Sequence, residues 1–276
     1  MDLTRISPNA RTLVMGIVNI TPDSFYDGGR HGTPDQAAAY ARTLIADGAD
    51  ILDIGGESSR PGAESLSTDR EIARVLPTLE RLHEVDVPIS IDTYHADTAR
   101  RALAAGATMI NDITALRGDP AMADVIAEAG CPCVLMHMQG TPQTMQQEPR
   151  YKDIVDDLCA FFDDRLRFAV ERGISLRNIW IDPGFGFGKS PEHNLTMLRR
   201  LREFQRLGRP LLIGTSNKST IGFVLGGLPP EERTEGTAAT VAIAVFNGAT
   251  AVRVHDVKTM ARVVRMSDAI ADRGAL

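Results

Sequence analysis

The chain has 276 residues, 43% of them hydrophobic, and a formal net charge of -6 at pH 7. This length can bury a full core and suits one large barrel or two modest domains. The acidic balance excludes an extended nucleic-acid surface, which needs clustered Lys and Arg to displace counterions from phosphates. The start, from Met1 to Pro8, has no apolar signal core, and no later stretch is apolar for long enough to span a bilayer. The chain therefore reads as cytoplasmic, with neither a membrane nor a nucleic acid as partner. Cys131, Cys133 and Cys159 are an odd set without paired zinc spacing and read as buried, inert thiols.

In chain order, eight short runs rich in Val, Ile and Leu predict strands: Leu13 to Ile20, Ile51 to Ile54, Pro88 to Thr93, Met109 to Thr114, Cys133 to Met138, Ile179 to Asp182, Pro210 to Thr215, and Ala251 to His255. Each is followed by a longer segment with helical spacing. Glycines close most of those segments, at Gly48, Gly106, Gly130, Gly173, Gly208 and Gly248, where a left-handed residue ends a helix and turns the chain into the next strand. Alternating β and α elements imply a parallel sheet, and eight units predict an α/β fold of the (β/α)8 TIM-barrel type, with residues 1-276 as one domain. The rival, an open doubly wound sheet, would place a Gly-rich fingerprint after the first strand, where Asn19-Ile20-Thr21-Pro22-Asp23-Ser24-Phe25 stands instead.

In such barrels chemistry sits at the carboxyl ends of the strands. The polar residues there are Asn19, Asp53 with Glu57, Asp92, Asn111 with Asp112, His137, Asp182, Lys218, and Arg253 with His255. Any one of them has an ordinary explanation as a cap or turn residue, and Asp53 and Asp112 are read that way. Converging on one rim, the rest point to a polar small-molecule site. The stretch Gly184 to Ser190 resembles a nucleotide P-loop but has Pro183 where the first glycine is required, so it reads as a strand-to-helix turn with Lys189 at the surface. No histidine pair has the zinc spacing with a glutamate between, and no Gly-x-Ser-x-Gly elbow supplies a serine nucleophile.

Ordered blocks then carry a resemblance. Asn19-Ile20-Thr21-Pro22-Asp23-Ser24-Phe25-Tyr26-Asp27-Gly28-Gly29, Gly55-Gly56-Glu57-Ser58-Ser59-Arg60-Pro61-Gly62, Ser90-Ile91-Asp92-Thr93, Ile110-Asn111-Asp112, Met136-His137-Met138-Gln139-Gly140, Asp182 to Lys189 and Arg253-Val254-His255-Asp256 resemble, in the same order, the dihydropteroate synthase family from Met15 to about Val257. One departure is Ser216-Asn217-Lys218-Ser219, where the family usually reads Ser-Arg-Lys-Ser; the change removes a positive charge.

The resemblance implies a transferase of folate biosynthesis, and a sulfonamide target, that joins a 7,8-dihydropterin methyl diphosphate to p-aminobenzoate by a dissociative, SN1-like route. It implies pterin-diphosphate contacts at Asn19, Ser59, Asp92, Asn111, Asp182, Phe187, Lys218, Arg253 and His255. Of these, Asp92, Lys218, Arg253 and His255 are the catalytic set. For p-aminobenzoate it implies Phe25, Ser59, Arg60, Pro61 and Ser219. The implied cofactor is Mg2+, contacted by Asn19, and the implied assembly is a homodimer through helices near the carboxyl terminus such as Thr237 to Phe246. The chemistry is consistent, since a carboxylate can accept the adjacent N–H donors of a pterin edge, and the planar arginine fork pairs with phosphate oxygens. Two rivals are a methyltetrahydrofolate-corrinoid methyltransferase, which has no need of Ser59-Arg60-Pro61 or a diphosphate clamp, and a catalytically silent pterin-binding paralogue, hinted at by Asn217 alone.

Overall fold

A computed structural model describes residues 1–6, 10–20, 33–58, 62 and 65–274. The eight apolar runs form β1 (Leu13–Asn19), β2 (Ile51–Gly55), β3 (Ile89–Asp92), β4 (Met109–Asp112), β5 (Cys133–Met136), β6 (Ile179–Asp182), β7 (Leu212–Ile213) and β8 (Ala251–Val254). They are hydrogen-bonded in the order β6-β5-β4-β3-β2-β1-β8-β7, with parallel pairing throughout. A parallel bridge from Ile181 to Leu211 joins the two ends and closes the barrel. Closure excludes the open doubly wound sheet. β7 is shorter than its apolar run because Pro210 has no N–H for the ladder and contributes only its carbonyl, which accepts from Ile181.

Around the barrel lie α1 (Pro34–Ala46), α2 (Thr68–Glu80), α3 (Ala96–Ala104), α4 (Met122–Ala129), α5 (Ile154–Glu171), α6 (Pro191–Arg199), α7 (Ser219–Val224), α8 (Thr234–Phe246) and α9 (Val257–Ile270). Their starts follow from sequence. Thr33 and Gln36 form a reciprocal cap with Pro34 at the first helical position of α1, and Ser190, Pro191 and His193 do the same for α6. The six joint glycines all take positive φ, between 61° and 107°. At the base, Thr12 donates through both N–H and hydroxyl to the buried Asp268 carboxylate at 2.8 and 2.7 Å, pinning α9 to the start of β1.

The strands are buried on both faces, so their side chains divide by period two. Leu52, Ile54, Ile91, Ile110 and Leu135 face outward against the helices. Leu13, Met15, Ile51, Met109, Val134, Trp180, Leu212 and Ala251 fill the barrel floor. Leu3 plugs that floor from below, and its carbonyl accepts from the Trp180 indole N–H at 3.2 Å. Two residues further along four of the strands the inward side chain turns polar: Ile51 is followed by Asp53, Met109 by Asn111, Trp180 by Asp182, and Ala251 by Arg253. An apolar floor thus carries a polar mouth. The three cysteines are free and buried, and among the described residues no helix is long and apolar enough to cross a membrane.

Candidate active site at the barrel mouth

Register puts Asn19, Gly55, Asp92 and Asn111 side by side across β1 to β4. Arg253 crosses the mouth from β8. Its Nε donates to Asp53 at 2.6 Å and one terminal nitrogen donates to Asp92 at 2.8 Å. The same oxygen of Asp53 accepts from Asn111 Nδ2 at 3.1 Å. Asp53 is therefore no cap or turn residue, contrary to the expectation from sequence. Fully buried one pleat above Ile51, it needs a cationic partner and finds one in Arg253. Asp112 keeps its turn role and accepts from the backbone of Thr114 and Leu116.

Burial pushes Asp92 above the ordinary carboxylate range, opposed by Arg253 and Lys218. Burial likewise raises Asp182, to about 6, opposed by the Gly184 N–H and then by Lys218, Lys189 and Arg253. Lys218 acts on both carboxylates, and its ammonium lies 4.0 Å from the centre of the Phe187 ring, a cation-π contact. Asp92, Asn111, Asp182, Phe187, Lys218 and Arg253 are thus brought to one mouth.

The turn after β6 differs from expectation in one respect: Lys189 is buried, 2% exposed. Its ammonium meets His137 Nδ1 at 3.0 Å and the Phe187 carbonyl at 3.0 Å. The reason is close backbone approach. A Cβ on Gly184, whose φ is +71°, would run into the His137 carbonyl, and one on Gly188 would run into Gln139. The glycines let the β6 turn lie against the β5 turn, and Lys189 is enclosed between them.

His255 at the end of β8 is held by Ser216 from the β7 turn. The serine oxygen lies 2.9 Å from His255 Nδ1 and accepts from its backbone N–H at 3.2 Å. Ser219, exposed, opens α7. Asn217 takes φ 56°, a left-handed conformation that asparagine tolerates well. Its amide oxygen accepts from Thr237 of α8 and its carbonyl from Arg233. The turn after Asp92 hangs on a buried acid of α2: Glu71 accepts from Thr93, Thr98 and His95 at 2.9, 2.6 and 2.9 Å, and the bond to Glu71 raises the His95 pKa. Sequence reasoning does not single out Asp53, Lys189, Ser216 or Glu71 as parts of the site. Only Asp53 carries a usable signal, the period-two step from Ile51. Phe25, Ser59, Arg60 and Pro61 lie outside the described residues.

Asn19 at the end of β1 offers an amide oxygen, Oδ1, 3.7 Å from where a Cβ on Gly55 would stand, a hard neutral donor of the kind a sparingly held magnesium ion takes.

Residues 15–255 match the family model described as pterin binding enzyme. A dihydropteroate synthase of Bacillus subtilis is 48% identical over 98% of this chain and 93% of its own length. The chain belongs to the dihydropteroate synthase family of pterin-binding enzymes. Among solved structures of the family, the Yersinia pestis synthase in a sulfonamide drug complex superposes with a TM-score of 0.93 at 42% identity, covering 99% of this chain and 96% of that one. The Xanthomonas albilineans synthase in complex with 7,8-dihydropteroate superposes at 0.85 and 41% identity, covering 96% and 95%.

Proposed function

We propose that this chain transfers the 7,8-dihydropterin-6-ylmethyl group from its diphosphate to p-aminobenzoate, giving 7,8-dihydropteroate and pyrophosphate. The observation that carries the reading is the convergence of Asp92, Asn111, Asp182, Lys218 and Arg253 on one barrel mouth. Family membership and the Xanthomonas synthase that holds 7,8-dihydropteroate support it.

Asp182, as a carboxylate, accepts the paired N–H donors of the pterin edge. Asn111, with its Nδ2 turned to Asp53, presents its amide oxygen to the ring, and Lys218 donates to a ring acceptor above Phe187. Arg253 and His255 receive the diphosphate. Asn19 would hold a magnesium ion, which supplies positive charge to the leaving group. The methylene C–O bond breaks and its electron pair leaves with pyrophosphate. The resulting cationic pterin methylene faces the negative charge of Asp92. The amine lone pair of p-aminobenzoate then forms the C–N bond and the spare proton passes to solvent.

Phe25, Ser59, Arg60, Pro61 and Ser219 form the p-aminobenzoate side of this reading, and a sulfonamide is expected to compete there. We place the protein in the cytoplasm as one domain. It pairs as a homodimer through α7 to α9, which expose Phe223, Ile243, Phe246, Met266 and Ile270 at 47–64%, apolar side chains that a second copy would cover. The direct test is mass detection of dihydropteroate from the two substrates with magnesium. Product that requires both substrates supports the reading, and its absence despite pterin binding contradicts it.

A further inference from the structure

Among the described residues, Lys189 is the buried ammonium in the turns around the site that the proposed mechanism leaves without a task. Its Nζ has three neighbours, His137 Nδ1 at 3.0 Å, the Phe187 carbonyl at 3.0 Å and the His137 carbonyl at 3.4 Å. An ammonium has three protons to give. Two of these contacts reach back to the β5 turn and one stays in the β6 turn, so a single side chain ties the two turns together. The fixed carbonyl belongs to Phe187, whose ring lies beneath Lys218. At the start of the same turn stands Asp182, whose own oxygen is tied to the Gly184 N–H at 2.7 Å. Removing the Lys189 ammonium would leave two buried carbonyls short of a donor.

We propose that Lys189 is a positioning residue of the pterin pocket: by tying the β6 turn to the β5 turn it fixes the Phe187 platform in the turn that Asp182 opens. The inference rests on the pterin-binding reading above. Asp182 is faced by Lys189 from its own turn, Lys218 from the β7 turn and Arg253 from β8, all of which favour its ionised form. Burial lowers Lys189 to about 7, opposed by Asp182 and reinforced by Lys218, so it carries its charge below that value, where Asp182 titrates; His137 beside it is held neutral by burial and by the cations Lys189 and Arg117.

The test compares wild type with Lys189→Met, which removes charge and donors, and Lys189→Arg, which keeps charge, with melting temperatures for all three. The KM for pterin diphosphate is expected to rise about tenfold in Lys189→Met, while the KM for p-aminobenzoate stays within about twofold. The acid limb of kcat/KM for the pterin substrate is expected to move up by roughly one pH unit, and Lys189→Arg to bring it back. A lowered melting temperature with an unmoved pterin KM and acid limb would reduce Lys189 to a structural residue and overturn the proposal. If Lys189→Met does not fold, Lys189→Gln, which keeps amide donors without charge, is judged by the same two quantities. Calorimetry with pterin diphosphate alone across pH reads the loss of affinity and its acid limb without turnover. A wild type that binds but does not react would therefore sink the synthase reading while still deciding the role of Lys189.

Discussion

Arg253 stands between two carboxylates, and the difference between them organises the site. Asp53 is fully enclosed and holds Arg253 and Asn111 by one oxygen, whereas Asp92 faces the mouth and shares the guanidinium. Asp53→Ala leaves a buried guanidinium short of a partner and frees the Asn111 amide to rotate. Breaking such a pair costs about 3–5 kcal/mol, so urea unfolding should register a loss of that order and pterin affinity should fall with it. Titration gives a second expectation. Burial raises Asp92 and raises Asp182 to about 6, so kcat/KM for the pterin substrate should fall as pH drops to and through that value. Because the folded pKa lies above the ordinary carboxylate value of 3.8, the folded state binds the extra proton first between the two. The stability contribution of Asp182 therefore increases as pH falls through this window. Activity measured beside circular dichroism should accordingly be lost on the acid side before the fold is lost. Simultaneous loss of both would contradict this assignment.

Strands and turns differ in how much of them can be read in the chain. Eight apolar runs and six closing glycines predict the barrel units because parallel strands are buried on both faces and a left-handed residue closes the helix before most of them. Asp92, Asn111, Asp182 and Arg253 are legible as strand-end residues for the same reason. Lys189 is not, since whether a lysine is covered depends on how closely another turn, far earlier in the chain, approaches it. The grip of Ser216 on His255 and of Glu71 on the Asp92 turn likewise joins segments remote in sequence. Asp53 is legible in principle, because its place one pleat above Ile51 marks an inward position, where a carboxylate is not a cap. The approach of the two turns gives a test: Gly184→Ala adds a Cβ against the His137 carbonyl at positive φ. The left-handed conformation and the overpacking together should cost about 2–4 kcal/mol, measured by denaturant unfolding. A neutral effect would mean that the turns are not locked together.

At the scale of the whole molecule, the closed barrel divides labour along its axis. The floor is filled by the apolar side chains Met15, Met109, Val134 and Trp180 and plugged by Leu3, whose carbonyl takes the Trp180 indole N–H, and the polar strand-end residues lie at the opposite rim. Phe223, Ile243, Phe246, Met266 and Ile270 stand exposed on α7 to α9, where the homodimer proposed above would bury them. Phe246→Glu should therefore shift a dimer to monomer in sedimentation while the melting transition stays cooperative, and an unchanged mass would place the pairing surface elsewhere. In the function proposed above, the mouth ionises a pterin methyl diphosphate and passes its cation to an amine. The most direct measurement is pyrophosphate release from 6-hydroxymethyl-7,8-dihydropterin diphosphate with magnesium, with and without p-aminobenzoate, for wild type and Asp92→Asn. Magnesium-dependent release in the wild type, a loss of about a hundredfold or more in the variant, and dihydropteroate only when p-aminobenzoate is present are the expected results. Tight pterin binding with no release, or an Asp92→Asn enzyme as fast as wild type, would contradict it.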